Sequence, residues 1–173
     1  NKMFNFKIKF IGFTFTLLGV YSALLSNPLD PDRMSYISVH DHYGAMMKHY
    51  QNKDWKRLGY RSLDLITDFP ESAFVKEAYY YLGLAYFEQQ DYELSNINFS
   101  AYLKEDLTPK FFDEVMRYKF EIACRFQEGA KRHLMSSRKM PKWLKAYDIA
   151  VEIFDEVITT LPRDDLAAQA LFR

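Results

Sequence analysis

An all-α fold, built as a row of paired antiparallel helices, is what this chain predicts, and three observations carry the prediction. The composition is 49% hydrophobic and 17% aromatic, with six glycines and six prolines in 173 residues, which suits helices with large interlocking side chains better than turn-dense β architecture. Apolar residues recur at helical spacing in segments divided by short polar turns such as Asn52-Lys53-Asp54. The pattern also repeats, since Asp91-Tyr92 matches Asp54-Trp55, and Ser95 matches Leu58, at the same distance of 37 residues. A helix pair recurring at a fixed period stacks on its neighbours because it cannot bury its apolar face alone.

Residues 1–26 open the chain differently. Lys2, Lys7 and Lys9 precede an uncharged apolar run from Phe10 to Ser26, which Asn27-Pro28 ends; this reads as a signal peptide or short membrane anchor. The run is about 25 Å long as a helix, short of the roughly 30 Å hydrocarbon core, so a cleaved export signal is favoured over a permanent span. Residues 27–38, with Pro28 and Pro31, read as a linker. The first helix pair is expected over Val39 to Gln51 and Trp55 to Asp68, packing through Leu58, Ser62 and Leu65 and stopped by Pro70.

The second pair starts near Ser72, whose hydroxyl is placed to cap its first helix. There Tyr79, Leu82, Gly83 and Tyr86 face Ser95, Phe99 and Tyr102. In the third, Ile122-Ala123-x2-Phe126 answers Ala150-x3-Phe154-x2-Val157, with Pro162 as terminator. Ala123 and Ala150 are 27 positions apart where Gly83 and Ser95 are 12 apart, so about fifteen residues are inserted. Arg163-Asp164-Asp165 opens a further first helix that Arg173 cuts off, and the sequence reads as a fragment.

The spacing Tyr79-x2-Leu82-Gly83-x2-Tyr86, then Ser95-x3-Phe99-x2-Tyr102, is that of a tetratricopeptide repeat. Residues 39–173 are therefore expected to form a tetratricopeptide-repeat solenoid of about three repeats plus the start of a fourth. The connection between helices A and B of the third repeat is enlarged. Such scaffolds bind other proteins.

The formal net charge is zero, but it sums unlike parts: about +3 over residues 1–26, −5 over 27–128, +6 over 129–147 and −4 over 148–173. The acidic bulk carries no base-reading motif, which argues against nucleic acid. Cys124, the only cysteine, excludes an intramolecular disulfide and a thiolate-rich metal site, and is expected to pack inside a helix A. His40, Asp41, His42 and His49 lack the i, i+4 histidine pair enclosing a glutamate, and are read as ordinary helix positions rather than metal ligands. No nucleotide loop, nucleophile elbow or paired-carboxylate pattern is present. We expect no enzymatic activity and no cofactor.

The repeat pattern and the charge distribution point to two candidate surfaces. Solenoids of this kind present helix A on the concave side, so Tyr43, Met47 and Tyr50 of the first repeat and Tyr80, Leu84, Phe87 and Glu88 of the second are expected to line a groove for a peptide or partner; helical spacing of aromatics also suits a core. The insertion carries Lys131, Arg132, Arg138, Lys139, Lys142, Trp143 and Lys145 with no acid between Glu128 and Asp148. It is either a contact for an acidic partner or anionic membrane surface, or a solvated loop.

The run Asp41 to Gln51 before Asn52-Lys53-Asp54-Trp55, the sequence Asp68-Phe69-Pro70-Glu71-Ser72, and the enlarged turn after Val115-Met116-Arg117-Tyr118 together resemble the BamD family. These are tetratricopeptide lipoproteins of the outer-membrane β-barrel assembly machinery. The likeness covers about residues 39–173. It departs at Leu24-Leu25-Ser26-Asn27, where a lipoprotein needs a cysteine for acylation. The resemblance implies an exported periplasmic adaptor at the inner face of an outer membrane. In that family the amino-terminal repeats receive unfolded outer-membrane protein segments, and the carboxy-terminal repeats dock on periplasmic domains of the barrel insertase. The alternatives are a general cell-envelope scaffold for cell-wall or secretion components and a self-associating, membrane-tethered scaffold.

Overall fold

The computed structural model describes residues 38–104, 109–133, 142–161 and 164–173, with backbone alone for 132, 133 and 142–145. The expected signal segment 1–26, the linker up to residue 37, and Arg138 and Lys139 lie outside the described residues. Seven helices account for most of the described chain: α1 (Val39–Gln51), α2 (Trp55–Asp68), α3 (Val75–Glu88), α4 (Tyr92–Leu103), α5 (Phe112–Gln127), α6 (Tyr147–Thr160) and α7 (Asp165–Leu171). A two-stranded antiparallel ribbon, β1 (Lys131–His133) and β2 (Lys142–Lys145), stands between α5 and α6. Each helix packs on the next along the chain, β1 reaches α4, and α5 also touches α7.

Local chemistry explains the helix limits. Ser38 and Asp41 form a capping box at α1: the Asp41 N–H donates to Ser38 Oγ at 3.2 Å, and the Ser38 N–H donates back to Asp41 Oδ2 at 3.2 Å. At α2 the Asp54 carboxylate accepts from the Arg57 N–H at 3.2 Å. Ser72 does not cap α3 as expected, because the N-cap is Phe74. Its hydroxyl instead accepts the Phe74 N–H at 3.2 Å, and its carbonyl accepts from Val75, so it closes the turn before the helix.

Helices α1, α3 and α5 end in the same way. After α1, Lys53 N–H donates to the Tyr50 carbonyl and Asp54 N–H to that of His49. After α3, Gln90 and Asp91 donate to Phe87 and Tyr86; after α5, Gly129 and Ala130 donate to Phe126 and Arg125. This is the Schellman arrangement, which needs a left-handed residue at its centre, and Lys53, Gln90 and Gly129 have φ of 54°, 58° and 102°. The chain then enters α2 and α4 directly after the first two turns, but enters β1 after the third.

The ribbon pairs Lys131 with Lys145, Arg132 with Leu144 and His133 with Lys142, with an irregularity between Arg132 and His133. The enlarged connection was expected, in an all-α fold, without strands of its own. Strand pairing satisfies backbone groups that a loop would leave to water.

The α3/α4 pair shows how the repeat packs. Gly83 lies against Phe99 so closely that a Cβ there would stand 2.7 Å from the ring. The Ser95 hydroxyl donates to the Gly83 carbonyl at 2.8 Å, across the same contact. Leu58 and Leu65 of α2, Phe99 and Tyr102 of α4, Ile122, Ala123 and Phe126 of α5, and Ala150, Phe154 and Val157 of α6 join one buried cluster. At about 1.5–3 kcal/mol for each large side chain taken from water, this cluster dominates the stabilisation.

One member of this core is a cation. Lys119 of α5 is 0% exposed, and its ammonium donates to Asn96 Oδ1 at 2.8 Å and Ser100 Oγ at 2.7 Å on α4, and pairs with Glu156 Oε2 on α6 at 2.9 Å. Three acceptors match its three protons. Burial lowers its pKa, and Glu156 opposes that shift. Lys119 thus ties three consecutive helices together.

Candidate functional site

Alternate helices meet as one layer, α1 with α3, α3 with α5 and α5 with α7, and the candidate groove residues belong to it. Tyr43 stacks on Phe74 with centroids 4.4 Å apart and donates its hydroxyl to Glu77 Oε2 at 2.7 Å. The other Glu77 oxygen accepts from Lys110, just before α5, at 3.3 Å. Tyr50 meets Tyr81 at 5.0 Å, and Phe87 meets Tyr118 of α5 at 4.8 Å. Tyr43, Met47, Tyr50 and Phe87 are half-buried against the core, and Glu88 is exposed.

Tyr80 and Leu84 are not groove surface. They are 2% and 4% exposed, which corrects the expectation that they line a binding face. Tyr80 stacks on Phe111 at 4.1 Å and touches Tyr81, Tyr102 and Phe99 at 5.1–6.2 Å. The segment leading into α5 brings Phe111 over this position, so a column that repeat spacing points outward becomes the centre of an aromatic core.

The electrostatics of this face are those of phenols beside carboxylates. Burial, then the hydrogen bond to Glu77, pushes Tyr43 up to about 12; burial, then Glu114 and Glu88, pushes Tyr118 up to about 12. Tyr80 and Tyr81 are also shifted upward, first by burial and then by acidic neighbours that include Glu114.

Aligning Ala123 with Gly83 gives the third copy of the groove column: Phe120, Cys124 and Gln127 stand where α3 has Tyr80, Leu84 and Phe87. The column was expected only over the first two repeats, although the spacing extends it to the third. Here the layer opens. A cleft of about 420 Å³ between α5 and α7 has Phe120, Cys124 and Leu166 against it, with Arg117, Glu121, Arg125, Glu128 and Gln169 around them. Cys124 is therefore only half-buried, and burial raises its thiol pKa. Arg125 pairs with Glu121 at 2.9 Å and Glu128 at 3.4 Å, while Gln127 donates to the Arg173 carbonyl at 2.7 Å and holds the end of α7.

Of the basic insertion, Lys131 is an exposed strand residue, and Arg132, Lys142, Trp143 and Lys145 occupy ribbon positions. The histidine group is dispersed: His40 and His42 lie edge-on to Phe74 and Phe69, and His49 approaches Asp54 at 3.8 Å. Among the described residues there is no group of three or more His, Cys, Asp or Glu side chains placed to hold a metal. No described helix is long and apolar enough to cross a membrane. No model of a known protein family matches this chain, and no curated protein does.

Proposed function

We propose that this chain is a non-enzymatic tetratricopeptide adaptor of the BamD type, exported to the periplasm and working in outer-membrane β-barrel assembly. It receives unfolded outer-membrane protein segments on its helix A layer and contacts periplasmic domains of the insertase. The observation that carries the reading is the threefold recurrence of one turn closing α1, α3 and α5, with the enlarged connection after only the third. The recurrent turn belongs to a repeat scaffold, and the enlarged connection is where the resemblance to that family is most specific. The surface available for capture is the outer rim of the layer, at Tyr43, Met47, Tyr50, Phe87 and Glu88, together with the α5/α7 cleft.

The test is a photo-crosslinking residue placed at Glu88 and, separately, at Gln169, in cells that export the full chain, with captured proteins identified by mass spectrometry. Nascent barrel proteins or the insertase are the expected catch. Cell-wall enzymes or secretion components would replace this reading with the envelope scaffold, and copies of the chain alone would replace it with self-association.

A further inference from the structure

The β1/β2 ribbon carries a charge pattern that the helices around it do not balance. Its register sets Lys131 opposite Lys145 and His133 opposite Lys142, and like charges directly opposite each other weaken a strand pair. A two-stranded ribbon of three and four residues is marginal even without that repulsion. The acids near it are few. β1 lies against α4, where Asp91 and Glu93 are each 6% exposed; Glu128 pairs with Arg125 at 3.4 Å, and Asp148 opens α6. The next acids of α6, Glu152 and Asp155, stand a further turn or more along the helix. Six Lys and Arg lie between Glu128 and Asp148; against Asp91, Glu93 and Asp148 they leave a cationic surplus wherever each side chain lies.

Apolar residues are interleaved with that surplus. Trp143 and Leu144 separate Lys142 from Lys145 in β2, and Tyr147, two residues beyond the strand, is 61% exposed. Cations mixed with aromatic residues are the composition that settles where lipid headgroups meet acyl chains. Size decides between a lipid surface and a protein one. A specific protein interface takes about 20–30 residues a side, whereas the two strands hold three and four. A lipid surface needs no such complementary area, because each cation acts on the anionic field separately.

We infer that the β1/β2 ribbon docks on an anionic membrane surface, with Lys131, Arg132, Lys142 and Lys145 neutralised by lipid phosphates and Trp143 at headgroup level. The phosphates also relieve the repulsion between the paired cations, so ribbon and surface stabilise each other. This surface is separate from the helix A layer, and the inference stands or falls independently of what that layer captures.

The test mixes the full chain with phosphatidylcholine vesicles, with or without phosphatidylglycerol, and measures bound protein by sedimentation. Binding is expected to be about tenfold tighter or more with the anionic lipid, and to weaken as salt rises. Residues 1–26 are common to every variant, so the comparison between variants isolates the ribbon. Lys142→Glu combined with Lys145→Glu places carboxylates opposite His133 and Lys131, which favours strand pairing while reversing the charge; it is expected to abolish the anionic preference with no loss of melting temperature. Lys48→Glu combined with Lys56→Glu makes the same change of net charge at exposed positions on α1 and α2, and is expected to keep the preference. In a Trp55→Phe background, Trp143 emission reads the ribbon without altering it, and is expected to shift to shorter wavelength with the anionic vesicles only.

Equal binding to both vesicles, an anionic preference that survives the ribbon reversal, an equal loss in the Lys48 and Lys56 variant, or unmoved Trp143 emission overturns the inference. So does capture of a labelled polyglutamate peptide by a chain that ignores the vesicles, because the ribbon then serves an acidic protein segment.

Discussion

The two ends of the α1, α3, α5, α7 layer carry the same register column and treat it oppositely. Between α1, α3 and the start of α5, ring meets ring: Tyr50 on Tyr81, Tyr80 on Phe111, Phe87 on Tyr118. Between α5 and α7 the corresponding Phe120 and Cys124 face Leu166 and Gln169 across an open cleft, and Phe120 finds its ring partner in Phe154 of α6 instead, at 5.6 Å. The difference lies in the neighbour. A repeat position is core or surface according to the side chains that the next helix brings, so identical spacing produces a closed aromatic seam in one place and an open cleft in the other.

The comparison is broken most severely at its paired column. Tyr80→Ala removes the ring at the centre of the closed seam and is expected to cost about 4 kcal/mol in urea unfolding, whereas Phe120→Ala, half-buried beside the cleft, is expected to cost about 2 kcal/mol. Equal losses would mean that the two ends are packed alike. Gly83→Ala comes next, at about 3 kcal/mol, because its Cβ would sit 2.7 Å from Phe99 and one of the two helices must shift. Lys119→Ala is expected to cost about 2 kcal/mol: Asn96, Ser100 and Glu156 lose a shared donor, but Glu156 is part-exposed and water recovers much of its solvation.

Alkaline pH sharpens the contrast without mutation. The folded state raises the Tyr43 and Tyr118 phenols to about 12 against an ordinary 10, and shifts Tyr80 and Tyr81 the same way. A folded pKa above the unfolded one means that the native chain binds more protons above pH 10. The stabilisation is thus complete below pH 10 and is lost as pH rises through about 12. Tyrosinate absorbance and helical circular dichroism are expected to change together in that window, and Tyr118→Phe is expected to shallow the loss. Buried Lys119 works the opposite way, with its pKa lowered, but one amine is set against four phenols.

Much of the helical frame was legible. The expected limits Val39 to Gln51 and Trp55 to Asp68 coincide with α1 and α2, because turn residues and apolar period act locally and both are written in adjacent positions. The Gly83 to Phe99 contact was legible for the same reason, as a small residue facing a large one at fixed distance. Tyr80 was misplaced because its burial depends on Phe111, which precedes another helix, and Leu84, one turn further along α3, is buried with it. Lys119 was invisible, since a lysine within a helix reads as solvent-facing until Asn96, Ser100 and Glu156 are brought to it from two other helices. The ribbon was missed because its strands are three and four residues long, too short for a period-two pattern to register.

The smallest effects separate backbone from packing. The turns after α3 and α5 are the same motif, with Gln90 and Gly129 at the left-handed position, yet only the second uses the residue without a steric penalty there. A Cβ on Gly129 would meet nothing within 4 Å, so Gly129→Ala isolates conformational strain and is expected to cost about 1 kcal/mol. Gln90→Gly relieves that strain but loosens the unfolded chain, and is expected to stabilise by only a few tenths of a kcal/mol. Opposite signs from paired urea unfolding curves would show that the two turns are mechanically equivalent, and the open end of the layer would then differ only through the chain beyond Ala130. If Gly129→Ala were neutral, the third turn would be relaxed by the ribbon it feeds, and the cleft beside it would owe its shape to that ribbon as well as to α7.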